Sequence, residues 1–456
     1  VTATRVCRVA VDVLAVERLF DYTVPETLAD TVGVGTIVRV NLSGRRVRAW
    51  VIEDDVVSEA PPEKLRPLLA AVSAGPPPEI VSLTAWVAHR FAGPRLALLR
   101  AASPVAVLPP GSLPTAPTDR RAAPPDAGSA EEVAELAHDA ARRPVAVVRW
   151  PPAVDRAELL AGVLAPSGST IVVVPEGRLG RLGAALRTGG ATVVPWLTEG
   201  RPRDRARAWD RARAGSCVVL GGRSAVFAPV PDLAAVVILD DGSEALKEER
   251  SPTWHARDVA AERARRGGAR LTIVSPVSPL EAPGPVLAPA RAVERAGWPI
   301  TEVVDRRREA PGLGLFSERA VAALRAAAAD DERRSSGTGG VPQERRSAGS
   351  ARAVCVLNRK GRARLLACGV CSELARCERC EAAVGEVDSP ATRDAEGDAA
   401  ARRVLACARC GATRPRVCVP CGSTKLKVLR SGVTRVREEL AALLPGVGVA
   451  MVDAAT

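Results

Sequence analysis

The chain has 456 residues, 47% hydrophobic and 25% charged, with 3% aromatic side chains and a formal net charge of +12. That length exceeds one ordinary core and predicts two to four domains, while the basic surplus favours a polyanionic partner. The opening stretch VTATRVCRVAVDVLAVERLF is interrupted by Arg5, Arg8, Asp12, Glu17 and Arg18, and no other segment approaches the roughly 18 apolar residues that a membrane span needs, so a soluble cytoplasmic protein is expected.

Residues 1–105 read as a β-rich unit. Val9, Val11 and Val13 alternate with Arg8, Ala10 and Asp12; Val38 and Val40 alternate with Ile37, Arg39 and Asn41 before Ser43-Gly44 turns the chain into Arg46, Arg48 and Trp50. Arg39, Arg45, Arg46 and Arg48 make a cationic hairpin able to meet a phosphate backbone, although charge also protects sheet edges. Residues 106–143 are rich in Pro, Ala, Gly and Ser and read as a linker. Over 144–330 the apolar runs PVAVVRW, STIVVVPE, GSCVVLGGRS, AAVVILDD and ARLTIVSP alternate with amphipathic stretches, the pattern of a parallel α/β sheet. A flexible Ser/Gly/Arg-rich insert at 331–352 leads to a cysteine-rich module at 353–430 and a last segment at 431–456. All the cations except Lys64, Lys247, Lys360, Lys425 and Lys427 are arginine, a bias that genomic base composition explains as well as function does.

Four CxxC knuckles stand at Cys368/Cys371, Cys377/Cys380, Cys407/Cys410 and Cys418/Cys421. Eight thiolates in this spacing predict two closed four-cysteine Zn²⁺ sites per chain, structural because no position stays open to water. Nothing in the chain marks the oxidising compartment that disulfides would require. Pairing neighbouring knuckles leaves five residues between Cys371 and Cys377 and seven between Cys410 and Cys418, which is cramped. Nested and interleaved pairings both satisfy the spacing. Cys7, Cys217 and Cys355 stand alone and read as small buried apolar residues.

The run VLNRKGRARLLACGVCSELARCERC, with CARC, CVPC and GSTKL after it, resembles the zinc-knuckle region of the primosomal replication-restart helicase family. GGRSAVFAPV and WHARDVA resemble that family's helicase-lobe segments, and RLFDYTVPE with VGTIVRVNLSGRRVRAWV resembles its N-terminal domain that holds DNA 3′ ends. The matches run from Phe20 to Leu440 in the family's order. They imply a multidomain α/β fold: a β-rich DNA-binding domain, a RecA-like parallel α/β helicase lobe and a double zinc-knuckle module. They also imply nested metal sites, one of Cys368, Cys371, Cys418 and Cys421, the other of Cys377, Cys380, Cys407 and Cys410. By the same resemblance Phe20, Asp21 and Tyr22 line a pocket for the terminal nucleotide, with Asp21 on the base and the Arg45 to Arg48 hairpin nearby. A carboxylate accepting from a base edge beside an aromatic stacking face is sound chemistry for that task.

The chain departs from the family at its motor. Where the family carries a GxxxxGK[ST] phosphate loop, this sequence reads VVRWPPAVDRAE; Pro151 and Pro152 offer no amide hydrogens, and no lysine lies between Lys64 and Lys247. Arg149 and Arg156 do not reproduce a lysine's geometry. The family's Asp-Glu-Glu-His becomes Asp240, Asp241, Gly242 and Ser243, a degenerate nucleotide site, and its Ser-Ala-Thr becomes Ser275-Pro276-Val277. The 106–143 linker stands where a winged helix is expected, and Thr456 falls where a second motor lobe would begin.

The expectation is a DNA-binding replication-restart protein that recognises abandoned forks and promotes primosome assembly and reloading of the replicative helicase, at the nucleoid, without helicase activity. ATP and Mg²⁺ are not expected cofactors. Two alternatives stay open: an active 3′ to 5′ DNA helicase using another nucleotide site, and a zinc-ribbon scaffold for RNA or protein. His89, His138 and His255 form no catalytic constellation.

Overall fold

The computed structural model describes residues 5–13, 16–110, 131–175, 179–281, 284–305, 315–335, 353–356, 363–388, 403–431 and 433–450. They form a multidomain α/β fold in two compact units, Val1–Ile300 and Thr301–Thr456.

The first unit opens with β1 (Val6–Val11), β2 (Phe20–Thr23), β3 (Ile37–Leu42), β4 (Arg45–Glu53), β5 (Arg66–Pro67) and β6 (Ala70–Ser73), in the sheet order β5-β2-β1-β4-β3-β6. Strand alternation sends Cys7, Val9 and Val11 to one face with Tyr22, Val38, Val40 and Val51. Ala10, Ile37, Trp50 and Ile52 lie on the other face. Ser43 and Gly44 both take positive φ, 49° and 82°, and close the β3–β4 hairpin with the twist its strands need.

Two helices cover the second face, α1 (Pro78–Arg90) and α2 (Arg95–Ala102). The β-rich reading did not include them. Pro78 pre-sets the first turn of α1, and Ile80, Leu83, Thr84 and Val87 make its buried stripe. Trp50 is fully buried beneath them, its indole N–H donating to Ser103 Oγ at 2.8 Å.

The expected linker ends sooner than 143. Its residues 111–130 lie outside the described ones, but α3 (Glu131–Ala141) buries Val133, Ala137 and Ala140, three positions one helical face apart. There follow β7 (Val145–Arg149), α4 (Ala157–Val163), β8 (Ser169–Val173), α5 (Leu179–Thr188), β9 (Val193–Trp196), α6 (Pro202–Arg213), β10 (Val218–Gly221), β11 (Leu233–Leu239), α7 (Ala256–Gly267), β12 (Arg270–Ser275), β13 (Val286–Leu287) and α8 (Arg291–Ala296). The strands are all parallel, in the order β13-β7-β12-β11-β8-β10-β9. Burial on both faces explains their unbroken Val/Ile runs. On one side α3, α4 and α5 pack on Val148, Val172 and Val237; on the other, residues of α1, α2, α6 and α7 pack on Val147, Ile171 and Val236. The first sheet's helices and the parallel sheet share one core.

The second unit contains α9 (Glu318–Ser335), β14 (Ala363–Cys368), β15 (Val384–Asp388), β16 (Arg403–Cys407), β17 (Thr413–Pro415), β18 (Leu426–Ser431) and α10 (Val433–Leu443). Helix α9 continues past the expected start of the insert at 331, and residues 336–352 lie outside the described ones, as do 451–456 of the last segment. The five strands are antiparallel in the order β17-β16-β15-β14-β18. Of the isolated cysteines, Cys7 and Cys217 are buried, which raises their thiols to about 12 and about 11, whereas Cys355 is exposed, contrary to the expectation of burial. Among the described residues no helix is long and apolar enough to cross a membrane.

Candidate functional site

The sheet order of the second unit decides which knuckles meet. Strand β14 ends at Cys368 and pairs with β18, so that Cys368 faces Leu426 and the Gly369 N–H donates to Lys425. This brings the first knuckle beside the fourth. Strand β15 pairs with β16, with Val384 opposite Cys407, and brings the second knuckle beside the third. The result is the nested grouping, Cys368, Cys371, Cys418 and Cys421 in one cluster and Cys377, Cys380, Cys407 and Cys410 in the other, with all four Sγ atoms of each within 4.8 Å of one another.

Between knuckles the sulfurs stand 3.5–3.6 Å apart. A disulfide needs about 2.05 Å, whereas four sulfurs about 2.3 Å from one ion lie about 3.8 Å from each other. The four turns are equivalent. The residue after each second cysteine, Ser372, Glu381, Gly411 and Gly422, has φ of 62°, 58°, 71° and 67°, and its N–H returns to the carbonyl of the first cysteine. Backbone N–H groups gather on sulfur: Val370 donates to Cys368 Sγ at 3.3 Å. The amides of Cys371 and Val370 pull Cys368 down to about 6, and those of Cys410 and Arg409 do the same to Cys407. Each cluster can hold a metal ion.

In the first unit, β2 presents the proposed nucleotide residues unequally. Asp21 lies opposite Arg8 on β1 and accepts from Arg8 Nε at 2.8 Å, Arg8 Nη2 at 3.3 Å and the Ser58 hydroxyl at 2.8 Å. The Arg8 guanidinium, then Ser58, hold its carboxyl below the usual range. Phe20 is half-buried, with the Arg18 guanidinium 4.6 Å from its ring centroid. Tyr22 is 4% exposed; it shares its sheet face with Phe20 but lies deeper in the core, where its hydroxyl donates to the Asn41 carbonyl at 2.9 Å. These residues border a cleft of about 470 Å³ that also collects Arg8, Arg18, Lys64 and Arg66. The sequence reading missed those four cations, which come together only when β1, β2 and β5 pair.

The hairpin arginines are not among the residues lining that cleft. Arg39 and Arg48 face each other directly across β3 and β4, and Arg46 faces Asn41 on the same side; Arg45 points to the other face. All four are exposed. Like charges directly opposite cost stability unless an anion lies between them.

At the carboxyl ends of the parallel strands, where open α/β sheets bind ligands, the two residues expected to form a degenerate nucleotide site, Asp240 and Asp241, are paired with arginines of the same chain. Arg156 Nη1 donates to Asp240 Oδ2 at 2.7 Å, with Arg156 buried and Asp240 partly so. Asp240 follows β11 directly, with φ of 54°. Asp241, 2% exposed, accepts from Arg257 Nη1 at 2.9 Å, while its N–H donates to Ser275 Oγ. His255 caps α7 by accepting from the Arg257 N–H at 3.1 Å, and burial lowers its pKa. Gly297 packs onto Pro151, where a Cβ would come within 2.4 Å of the proline ring, and Arg149 pairs with Glu294 at 2.6 Å. A junction whose two prolines carry no N–H, whose Ala153 and Val154 amides already donate to the Gly297 and Pro151 carbonyls, and whose carboxylate already holds a guanidinium does not fit a magnesium triphosphate.

The 3′DNA-binding domain model of the PriA family matches residues 8–104. The chain is 32% identical to the probable replication restart protein PriA of Mycobacterium tuberculosis (strain CDC 1551 / Oshkosh) over 95% of its own length and 66% of that protein's. To the probable replication restart protein PriA of Mycobacterium leprae it is 30% identical over 95% and 67%. To the replication restart protein PriA of Bacillus subtilis it is 26% identical over 64% of this chain and 34% of that one. The chain spans about two thirds of the length of its mycobacterial relatives.

Proposed function

The chain belongs to the family of the replication restart protein PriA, and from that premise we propose that it recognises abandoned replication forks through a DNA 3′ end without acting as a helicase. The observation that carries this reading is the Phe20–Asp21 cleft, which lies within the segment matching the 3′DNA-binding domain. Its Arg8, Arg18, Lys64 and Arg66 supply cations for the last phosphates, Phe20 a stacking face, and Asp21, kept ionised by Arg8, an acceptor for a base edge. Tyr22 supports the strand from behind rather than touching DNA.

The two cysteine clusters suit Zn²⁺, because four thiolates at tetrahedral separation are its preferred closed site. Bound zinc would fix the four turns and their loops as one rigid body for primosome proteins and the helicase-loading machinery to dock on. Loss of the motor is proposed from the Arg156–Asp240 pair and the Pro151-Pro152 junction.

Competition binding on forked DNA tests the reading. A 3′ hydroxyl end should be preferred over a blocked one, and Asp21→Asn should abolish the preference. Equal affinity for both ends would refute the pocket. ATP turnover on the same forks, lost in Asp240→Ala, would refute the silent motor.

A further inference from the structure

Between its two cysteine clusters the second unit has a cleft of about 300 Å³. The second knuckle borders it with Cys377 and the fourth with Cys418, so that it takes one sulfur from each cluster. Leu374, Ala375 and Leu426 line it from below, half-buried or buried, and Val419 of the fourth knuckle, 58% exposed, extends the apolar surface outward. The sheet holds this floor in place: the Ala375 N–H donates to the Leu366 carbonyl of β14, and the Ala375 carbonyl accepts from the Val384 N–H of β15.

The cleft is anionic in a chain whose formal net charge is +12. Glu373, Glu378 and Glu381 border it, and all three are exposed. Its two arginines are engaged by the walls themselves. Arg376 Nη1 donates to the Glu381 carbonyl at 3.5 Å, and Arg414 donates to the Val417 and Arg376 carbonyls with its Nε 3.7 Å from Glu378. Lys425 and Lys427 flank Leu426 in sequence, and alternation turns them the other way, against Gly369. A divalent ion held by four thiolates leaves two negative charges at each cluster, so metal binding strengthens the field from both walls. A DNA phosphate is repelled from such a surface. An aliphatic side chain between two cations finds an apolar floor and carboxylates beside it.

We propose that this cleft is a docking groove for a cationic, aliphatic segment of a partner protein, in which Arg or Lys alternates with Leu, Ile or Val. The groove rests on the zinc-platform reading above and gives that platform a contact surface and its partner a chemistry. Phosphates and the partner segment then use surfaces of opposite charge, and the protein holds both without competition.

Three labelled peptides of alternating residues, Arg/Leu, Arg/Ser and Glu/Leu, are the probes, titrated into the metal-loaded full chain by fluorescence anisotropy. The Arg/Leu peptide should bind about tenfold more tightly than either of the others. Replacing Glu373, Glu378 and Glu381 together with Gln should weaken it about tenfold, and Val419→Ser about fivefold, while both variants retain two metal equivalents per chain. Equal affinity for the three peptides, an unchanged affinity in the Gln variant, or a fork affinity that falls in that variant as far as the peptide's would overturn the groove. Peptide binding lost on metal removal but untouched in the Gln variant would overturn the groove and keep the zinc platform. Selective binding that the Gln variant loses but the metal-stripped chain keeps would support the groove and refute the platform.

Discussion

Arg156 and Asp240 are 84 residues apart in sequence and meet at 2.7 Å, Arg156 buried and Asp240 partly so, where a phosphate loop would face its metal-binding carboxylate. The protein supplies its own cation there. Arg156→Ala leaves a part-buried carboxylate without that partner and should cost about 2 kcal/mol of stability in urea unfolding. The proposed silent motor predicts no nucleotide turnover in the wild type or in this variant, because Pro151 and Pro152 carry no amide hydrogens.

Arg263 of α7 is 6% exposed and donates to the carbonyls of Val226 and Ala228, the latter at 2.6 Å; burial lowers its pKa to about 10. Those hydrogen bonds tie α7 to the loop after β10. Arg263→Met keeps the volume, leaves the Val226 carbonyl without this donor and the Ala228 carbonyl with only the Val230 N–H, and should cost about 1 to 3 kcal/mol in thermal or urea unfolding.

Acid should expose a third charge cluster. Arg265, with Arg266 beside it, holds the Glu262 carboxyl down to about 2. Its folded value lies below the unfolded one of about 4.3, so its stabilisation is complete above about pH 5 and disappears as pH falls toward 2. Glu262→Gln should lose less stability than the wild type across that interval, as read by urea unfolding at successive pH values.

The cysteine clusters predict two retained metal equivalents per chain by elemental analysis. Cys377→Ser should retain one and open the ends of β15 and β16, detected as faster amide exchange at Val384 and Leu405, which are buried beside that cluster.

Arg39 and Arg48 should show opposite effects on stability and binding. Removing one of two facing like charges, as in Arg39→Thr, should raise the stability of the free protein by about 0.5 kcal/mol and weaken its DNA binding. Thermal melting and a DNA titration measure the two.

Local signals are legible in the sequence. Alternation places β1, β3 and β4, Ser43-Gly44 marks its turn, and unbroken Val runs mark the parallel strands. Helices α1 and α3 carry readable stripes at Ile80, Leu83 and Val87 and at Val133, Ala137 and Ala140, but a β-rich neighbourhood and a Pro/Ala-rich composition mask them. Long-range pairing stays hidden. Spacing leaves nested and interleaved cysteine groupings open because the choice depends on β14 meeting β18 and β15 meeting β16. Tyr22 reads as equivalent to Phe20 until strand alternation is combined with the depth of each position in the sheet. Arg8 cannot be joined to Asp21 before β1 and β2 are paired.

The bond from Trp209 to Ala102 and the burial of Leu98 and Ala102 in the core of the parallel sheet bear on how this chain can be dissected. The family's domain boundary falls at residue 104. A fragment cut there would carry a greasy underside into water and should clump, while the remaining piece would lose part of its roof. The module that meets DNA is welded to its neighbour, so strain on a captured strand passes straight into the parallel sheet rather than being absorbed by a swinging arm.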